Sequence, residues 1–137
     1  MRLHLTFQLP GEPVQNPELF SRAWDEFPEL KCNSRADWCG RSLHMLADLE
    51  RWEIGVIHDN TVVGGLVLVE DPWECHVGPC LTVAAQYVLP EYRNQGVSGM
   101  LMRQALRVVK SQSGPKTLAY THRVGPWRYE TIYRRIP

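Results

Sequence analysis

No run of about 18 apolar residues occurs in this 137-residue chain, so nothing in it is built to cross a bilayer as a helix. Nor does it open on a basic stretch followed by an apolar one, the pattern of a secretory leader. A soluble, cytoplasmic protein is the resulting expectation. Cysteine is sparse, with Cys32, Cys39, Cys75 and Cys80 and no C-x-x-C pair. A zinc site on Cys75, His76 and Cys80 would have poor ligand spacing, so no metal is expected and reduced, mostly buried thiols are the reading that remains. Compact Lys/Arg clusters and nucleic-acid-binding motifs are missing, which argues against a nucleic-acid partner. Internal repeats and low-complexity linkers are missing too. The length suits one domain over residues 1–137, with a sizeable core.

Acidic residues nearly vanish from the C-terminal third. Residues 91–137 hold nine Lys/Arg against two Asp/Glu, whereas residues 1–90 hold six against thirteen. The basic part suits an anionic ligand, and the acidic part a cationic one. Solvation of exposed faces produces the same asymmetry, so charge alone does not separate the two.

The most informative stretch runs from Gln86 to Lys110. Tyr87, Val88 and Leu89 are β-formers, ended by Pro90, which cannot donate to a ladder. Beyond the turn, Val97, Leu101, Ala105 and Val108 recur at helical spacing, and Met102, Leu106 and Val109 widen the stripe. Between strand and helix lies Arg93-Asn94-Gln95-Gly96-Val97-Ser98, followed by Gly99. A helix beginning straight after a tight turn presents unpaired N–H groups and the positive end of its dipole, a ready site for an anion. The segment has neither the Gly-Lys-Ser/Thr ending of a P-loop nor the three glycines of a dinucleotide fingerprint.

The rest of the chain alternates in a readable way. Leu3, Leu5, Phe7 and Leu9 alternate with polar residues as a half-buried strand. Asn16 and Pro17 open a helix carrying Leu19, Phe20, Ala23, Trp24 and Phe27 on one face. Ser34 opens a second, with Asp37 three places on. Residues 52–58 and 61–70 read as a hairpin around Asp59-Asn60. Residues 71–79 read as a loop, 81–88 as a strand, 116–122 as another strand, and 127–136 as a short basic helix after Gly125-Pro126.

The segment Arg93–Gly99 resembles motif A, R/Q-x-x-G-x-G/A, of the GNAT (N-acetyltransferase) superfamily, with Ser98 standing where Gly or Ala is usual. The order strand, two helices, three strands, helix, strand, helix is also that family's order. The resemblance implies an α/β (α+β) fold: a mixed, mainly antiparallel sheet with helices on both faces. The family would continue with a two-stranded hairpin. Its apparent lack implies an open sheet region covered by a second copy or a protein partner.

By the same resemblance the co-substrate is acetyl-CoA and the activity N-acetyl transfer to a cationic amine or protein acceptor. Backbone groups of Tyr87 and Val88 would meet the pantetheine arm. Arg93, Asn94, Gln95, Gly96, Val97, Ser98 and Gly99 would surround the pyrophosphate. Tyr133 matches the start of the family's Leu-Tyr-x-x-x-Gly-Phe pattern and is the candidate acid, with Tyr129 as fallback. The usual β-strand carboxylate is replaced by Ala84 and Ala85. That leaves the base open among Glu70, Glu74, His76 and His122, and it keeps alive a binding module with little catalytic power. Residues 28–33 and 71–79 would line the entrance, where Glu29, Glu70, Asp71 and Glu74 would favour a cation.

Overall fold

Two neighbouring glycines explain how both faces of the sheet come to be covered. Gly64 and Gly65 lie on strand β3 (Thr61–Glu74). A Cβ on Gly64 would stand 2.7 Å from Val97 Cγ1, and one on Gly65 2.8 Å from Leu19 Cδ1. Successive strand residues point to opposite faces. Helix α1 (Glu18–Glu26), which carries Leu19, and helix α3 (Val97–Ser111) therefore press on the sheet from opposite sides.

The computed structural model describes residues 1–137. Its remaining elements are β1 (Arg2–Gln8), α2 (Arg35–Ala47), β2 (Arg51–His58), β4 (Gly78–Val88), β5 (Thr117–Gly125) and β6 (Arg128–Arg135), with 3-10 turns at Pro28–Cys32 and Pro90–Tyr92. One six-stranded sheet runs β1-β2-β3-β4-β5-β6, antiparallel at every junction except β4–β5. This is the mixed, mainly antiparallel sheet with helices on both faces that the sequence implies.

Local chemistry accounts for most boundaries. The Ser34 hydroxyl accepts from the Asp37 amide at 3.1 Å and starts α2. Asp59 and Asn60 both take positive φ (50° and 61°), as the type I′ turn of a two-residue hairpin requires. The α3 stripe buries Val97, Leu101, Ala105, Val108 and Val109 in one core cluster with Ile54, Val63, Leu66 and Leu118. Each Val, Leu or Ile among them contributes about 1.5–3 kcal/mol by leaving water. Arg51, at the start of β2, is fully buried. It donates to Glu53 Oε2 at 2.9 Å and to the carbonyls of Ala47, Leu49 and Glu12, while Glu53 Oε1 accepts from the Gln15 amide.

Three expectations are corrected. Residues 127–136 are not a helix: β6 pairs with β5 from Thr117↔Arg135 to Gly125↔Arg128. The reason is period-two patterning, since Tyr129, Thr131 and Tyr133 fall on one face and are strand formers. Pro126 and Trp127 (φ 64°) make the turn, with proline in the position that a type II turn favours. Residues 71–79 are mostly not a loop, because β3 runs on to Glu74 and β4 already begins at Gly78. Nor are the thiols mostly buried. Cys80 is, but Cys32 and Cys75 are exposed.

Candidate active site: the cleft between β4 and β5

Parallel strands β4 and β5 meet only at Leu81↔Leu118 and Thr82↔Ala119. Beyond Thr82 they part, and the β4 edge from Val83 to Val88 has no strand beside it. On the β3 side the register slips, Ala85 pairing with Val67 but Val83 with Leu68, so Ala84 is a bulged residue without a partner. The wedge is a cavity of about 440 Å³. Val83–Val88 form one wall and Thr121, His122 and Arg123 the other, with Arg93 and Ser98 also on its lining.

Next to this wedge the chain turns into α3. Asn94 and Gly96 both sit in the left-handed region (φ 63° and 82°). The first paired amide of the helix is that of Met100, on the Gly96 carbonyl at 3.0 Å. Those of Asn94 to Gly99 have no partner among the loop and cap hydrogen bonds. No acidic side chain occupies the first turn. The Ser98 hydroxyl accepts from Gln86 Nε2 at 3.2 Å, tying the turn to β4. Open space surrounds Gly96, and the Arg103 guanidinium lies over Gly99, its Nη1 3.1 Å from where a Cβ would be. Unpaired amides, the helix dipole and Arg103 together make a cradle that fits a pyrophosphate.

Arg93 is engaged elsewhere. It holds Glu26 through two contacts of 2.5 and 2.6 Å, donates to the Val88 carbonyl at 3.2 Å, and lies 5.4 Å from the Tyr87 ring centre. Tyr87 completes the knot by donating to Glu26 Oε1 at 2.7 Å. The Arg93 guanidinium holds the Glu26 carboxyl below its usual range. Burial, and then Glu26, push the Tyr87 phenol up. Arg93 thus locks α1, β4 and the turn together, with its charge neutralised. Val97 is a packing residue beneath Gly64, offering the cleft only its amide.

His122 and Tyr129 both line the wedge. Tyr129 donates to Glu29 Oε2 at 2.5 Å, and Arg123 grips the same carboxylate at 2.7 and 3.0 Å. Arg123, followed by Tyr129, holds the Glu29 carboxyl down at about 2, while burial and then Glu29 push the Tyr129 phenol up.

Tyr133 lies outside the wedge. It pairs with Ala119 at the closed end, and its hydroxyl meets His76 Nδ1 at 3.2 Å. The adjacent Glu74 carboxylate pushes its phenol up to about 12. Glu70 is also absent from the cleft. It lies near Gly114, past the far end of α3, roughly 20 Å of helix rise from Gly96. Residues 71–79 line neither this cavity nor the one beside it. Sequence reasoning missed Arg103, whose i, i+4 spacing from Gly99 puts both on one face and was the available signal.

A family model described as acetyltransferase (GNAT) family matches residues 16–125. The chain belongs to that family, whose members use acetyl-CoA as co-substrate. No curated protein matches it. Among solved structures, a GNAT family acetyltransferase from Brucella melitensis in complex with acetyl-CoA is similar over 99% of this chain and 92% of its own, at 13% identity and a TM-score of 0.64. A ribosomal-protein-alanine N-acetyltransferase from Brucella melitensis biovar Abortus 2308 covers 92% of this chain and 83% of its own, at 16% identity and 0.61. An aminoglycoside acetyltransferase from an uncultured soil metagenomic sample, in complex with sisomicin, covers 89% and 78%, at 15% and 0.61. At these identities the likeness is one of fold.

Proposed function

We propose that this chain is an acetyl-CoA-dependent N-acetyltransferase acting on an amine. The observation that carries the proposal is the parting of β4 from β5 at Thr82, beside a turn with unpaired amides. Aminoglycoside and ribosomal-protein-alanine acetyltransferases of the same fold support an amine nitrogen as acceptor.

In this reading acetyl-CoA supplies an activated thioester. The amides of Asn94–Gly99, with Arg103, hold its pyrophosphate, and the unpaired β4 edge from Val83 to Val88 receives its extended arm. The amine nitrogen attacks the carbonyl carbon, so a C–N bond forms, the C–S bond breaks and coenzyme A leaves as a thiolate. Tyr129, a protonated phenol on the cleft wall, is the acid for that thiolate. The proton lost by the amine goes to water or to His122, which shares the cavity. Glu70 and Tyr133, from the positions described above, have no part in these steps.

The test is thiol release from acetyl-CoA in the presence of amines. Tyr129→Phe is expected to lower turnover on the order of 100-fold, at the lower end of general-acid effects. Tyr133→Phe is expected to leave it nearly unchanged. With Ala84 and Ala85 where the family's carboxylate usually stands, a binding module is the second reading. Acetyl-CoA binding with no thiol release for any amine would favour it.

A further inference from the structure

A second cavity, of about 330 Å³, lies between α1, α2 and the sheet. It meets the cleft along a shared wall of Phe27, Ala84, Ala85, Gln86, Tyr87 and Tyr129. Sixteen of its 21 lining residues are hydrophobic, which makes it the opposite of an acidic entrance. Its helix-side wall is aromatic, with the half-buried rings of Phe20 on α1 and Trp38 on α2 at 5.9 Å. Met45, 59% exposed, leaves apolar surface at the opening uncovered.

Charge in and around this cavity is already spent. Glu53, its one lining carboxylate, is 5% exposed and held by Arg51 and by the Gln15 amide. Glu26 is neutralised by Arg93 and Glu29 by Arg123. A ligand with several ammonium groups would bury cations there with no free counter-charge, a costly arrangement. One apolar group with a single amine avoids that cost. Its body covers the aromatic wall and its nitrogen reaches the cleft at Ala84, whose backbone the bulge frees from the β3 ladder. Apolar surroundings also disfavour the charged ammonium, leaving the nucleophilic neutral amine.

We propose that this cavity is the acceptor subsite and that it takes a small primary monoamine carrying an aromatic or branched aliphatic group, in preference to a polycation. A volume near the lower bound of ligand cavities, about 300 Å³, restricts it to a small molecule. The fate of the amine rests on the transferase reading above; its binding does not. In that transfer the acceptor becomes an acetamide and coenzyme A leaves carrying a proton, so no further reactant is needed.

The experiment titrates the full chain, without acetyl-CoA, with 2-phenylethylamine and with spermidine at about 0.15 M salt, following methyl and indole resonances. Phenylethylamine is expected to shift Trp38, Leu30 and Met45, with spermidine at least tenfold weaker. Ser42→Phe, which fills the cavity from the α2 side without removing a core contact, is expected to abolish those shifts with an unchanged melting temperature. If that variant fails to fold, Ala84→Leu at the exposed junction serves the same purpose. Equal or stronger binding of spermidine, or no shift with phenylethylamine, overturns the proposal. A calorimetric titration of acetyl-CoA on the same preparation decides the transferase reading separately.

Discussion

Tyr129 donates its hydroxyl proton to Glu29 across 2.5 Å, joining the β5–β6 hairpin to the turn between α1 and α2. Arg123 seals the junction from the same hairpin, its guanidinium 4.6 Å from the Phe27 ring centre. The two sides of the cleft are thus tied at a residue that also lines it. Opening this tie is the proposed route by which Tyr129 becomes free to serve the leaving thiolate.

The tie is expected to depend on pH in the acid range. Glu29 has a folded pKa of about 2, below its ordinary value near 4.5. A depressed carboxylate contributes stability above the unfolded pKa, and that contribution is lost as pH falls towards the folded value. Between about pH 4.5 and pH 2 the wild type should lose melting temperature more steeply than Glu29→Gln. Parallel acid profiles of the two proteins would contradict this.

Substitution of two glycines should separate conformational strain from collision. Gly96→Ala meets nothing within 4 Å but must keep φ at 82°, a strain of about 1–2 kcal/mol. Gly64→Ala, at ordinary φ, drives a methyl to 2.7 Å from Val97 Cγ1 and is expected to cost about 1–3 kcal/mol through overpacking. Chemical denaturation measures both. Gly96→Ala should also weaken acetyl-CoA binding, whereas Gly64→Ala should act mainly on stability.

Arg51→Ala removes the partner of a buried carboxylate and leaves three backbone carbonyls short of a donor. Breaking a buried pair from one side costs about 3–5 kcal/mol. Adding Glu53→Gln to it should recover part of the loss, because the stranded charge is gone. A double-mutant cycle in denaturant checks this.

Much of the fold was legible because its signals are local. The α3 stripe, the Ser34 cap, the Asp59-Asn60 turn and the Gly96 turn each follow from residues close in sequence. The final strand was not, because an eight-residue segment with four charges offers helix and strand patterns alike, and the pairing with β5 decides between them. The partners of the site residues were not legible, for one shared cause. Arg93 and Glu26 are 67 positions apart and Tyr129 and Glu29 are 100 apart, so their pairing is a product of topology. The resemblance implies a helix for Tyr133; as a strand residue it lies outside the wedge with its hydroxyl on His76, four positions beyond the tyrosine that lines the cleft.

The most direct measurement is calorimetric titration of acetyl-CoA into the purified chain, with Gly96→Glu as control. That substitution sets a carboxylate among the amides meant for the pyrophosphate. Low-micromolar binding by the wild type, about −8 kcal/mol, and none by the variant is the predicted result. A folded wild type that binds no acetyl-CoA, or a folded variant that binds it equally well, would contradict the assignment of the α3 turn as the co-substrate site.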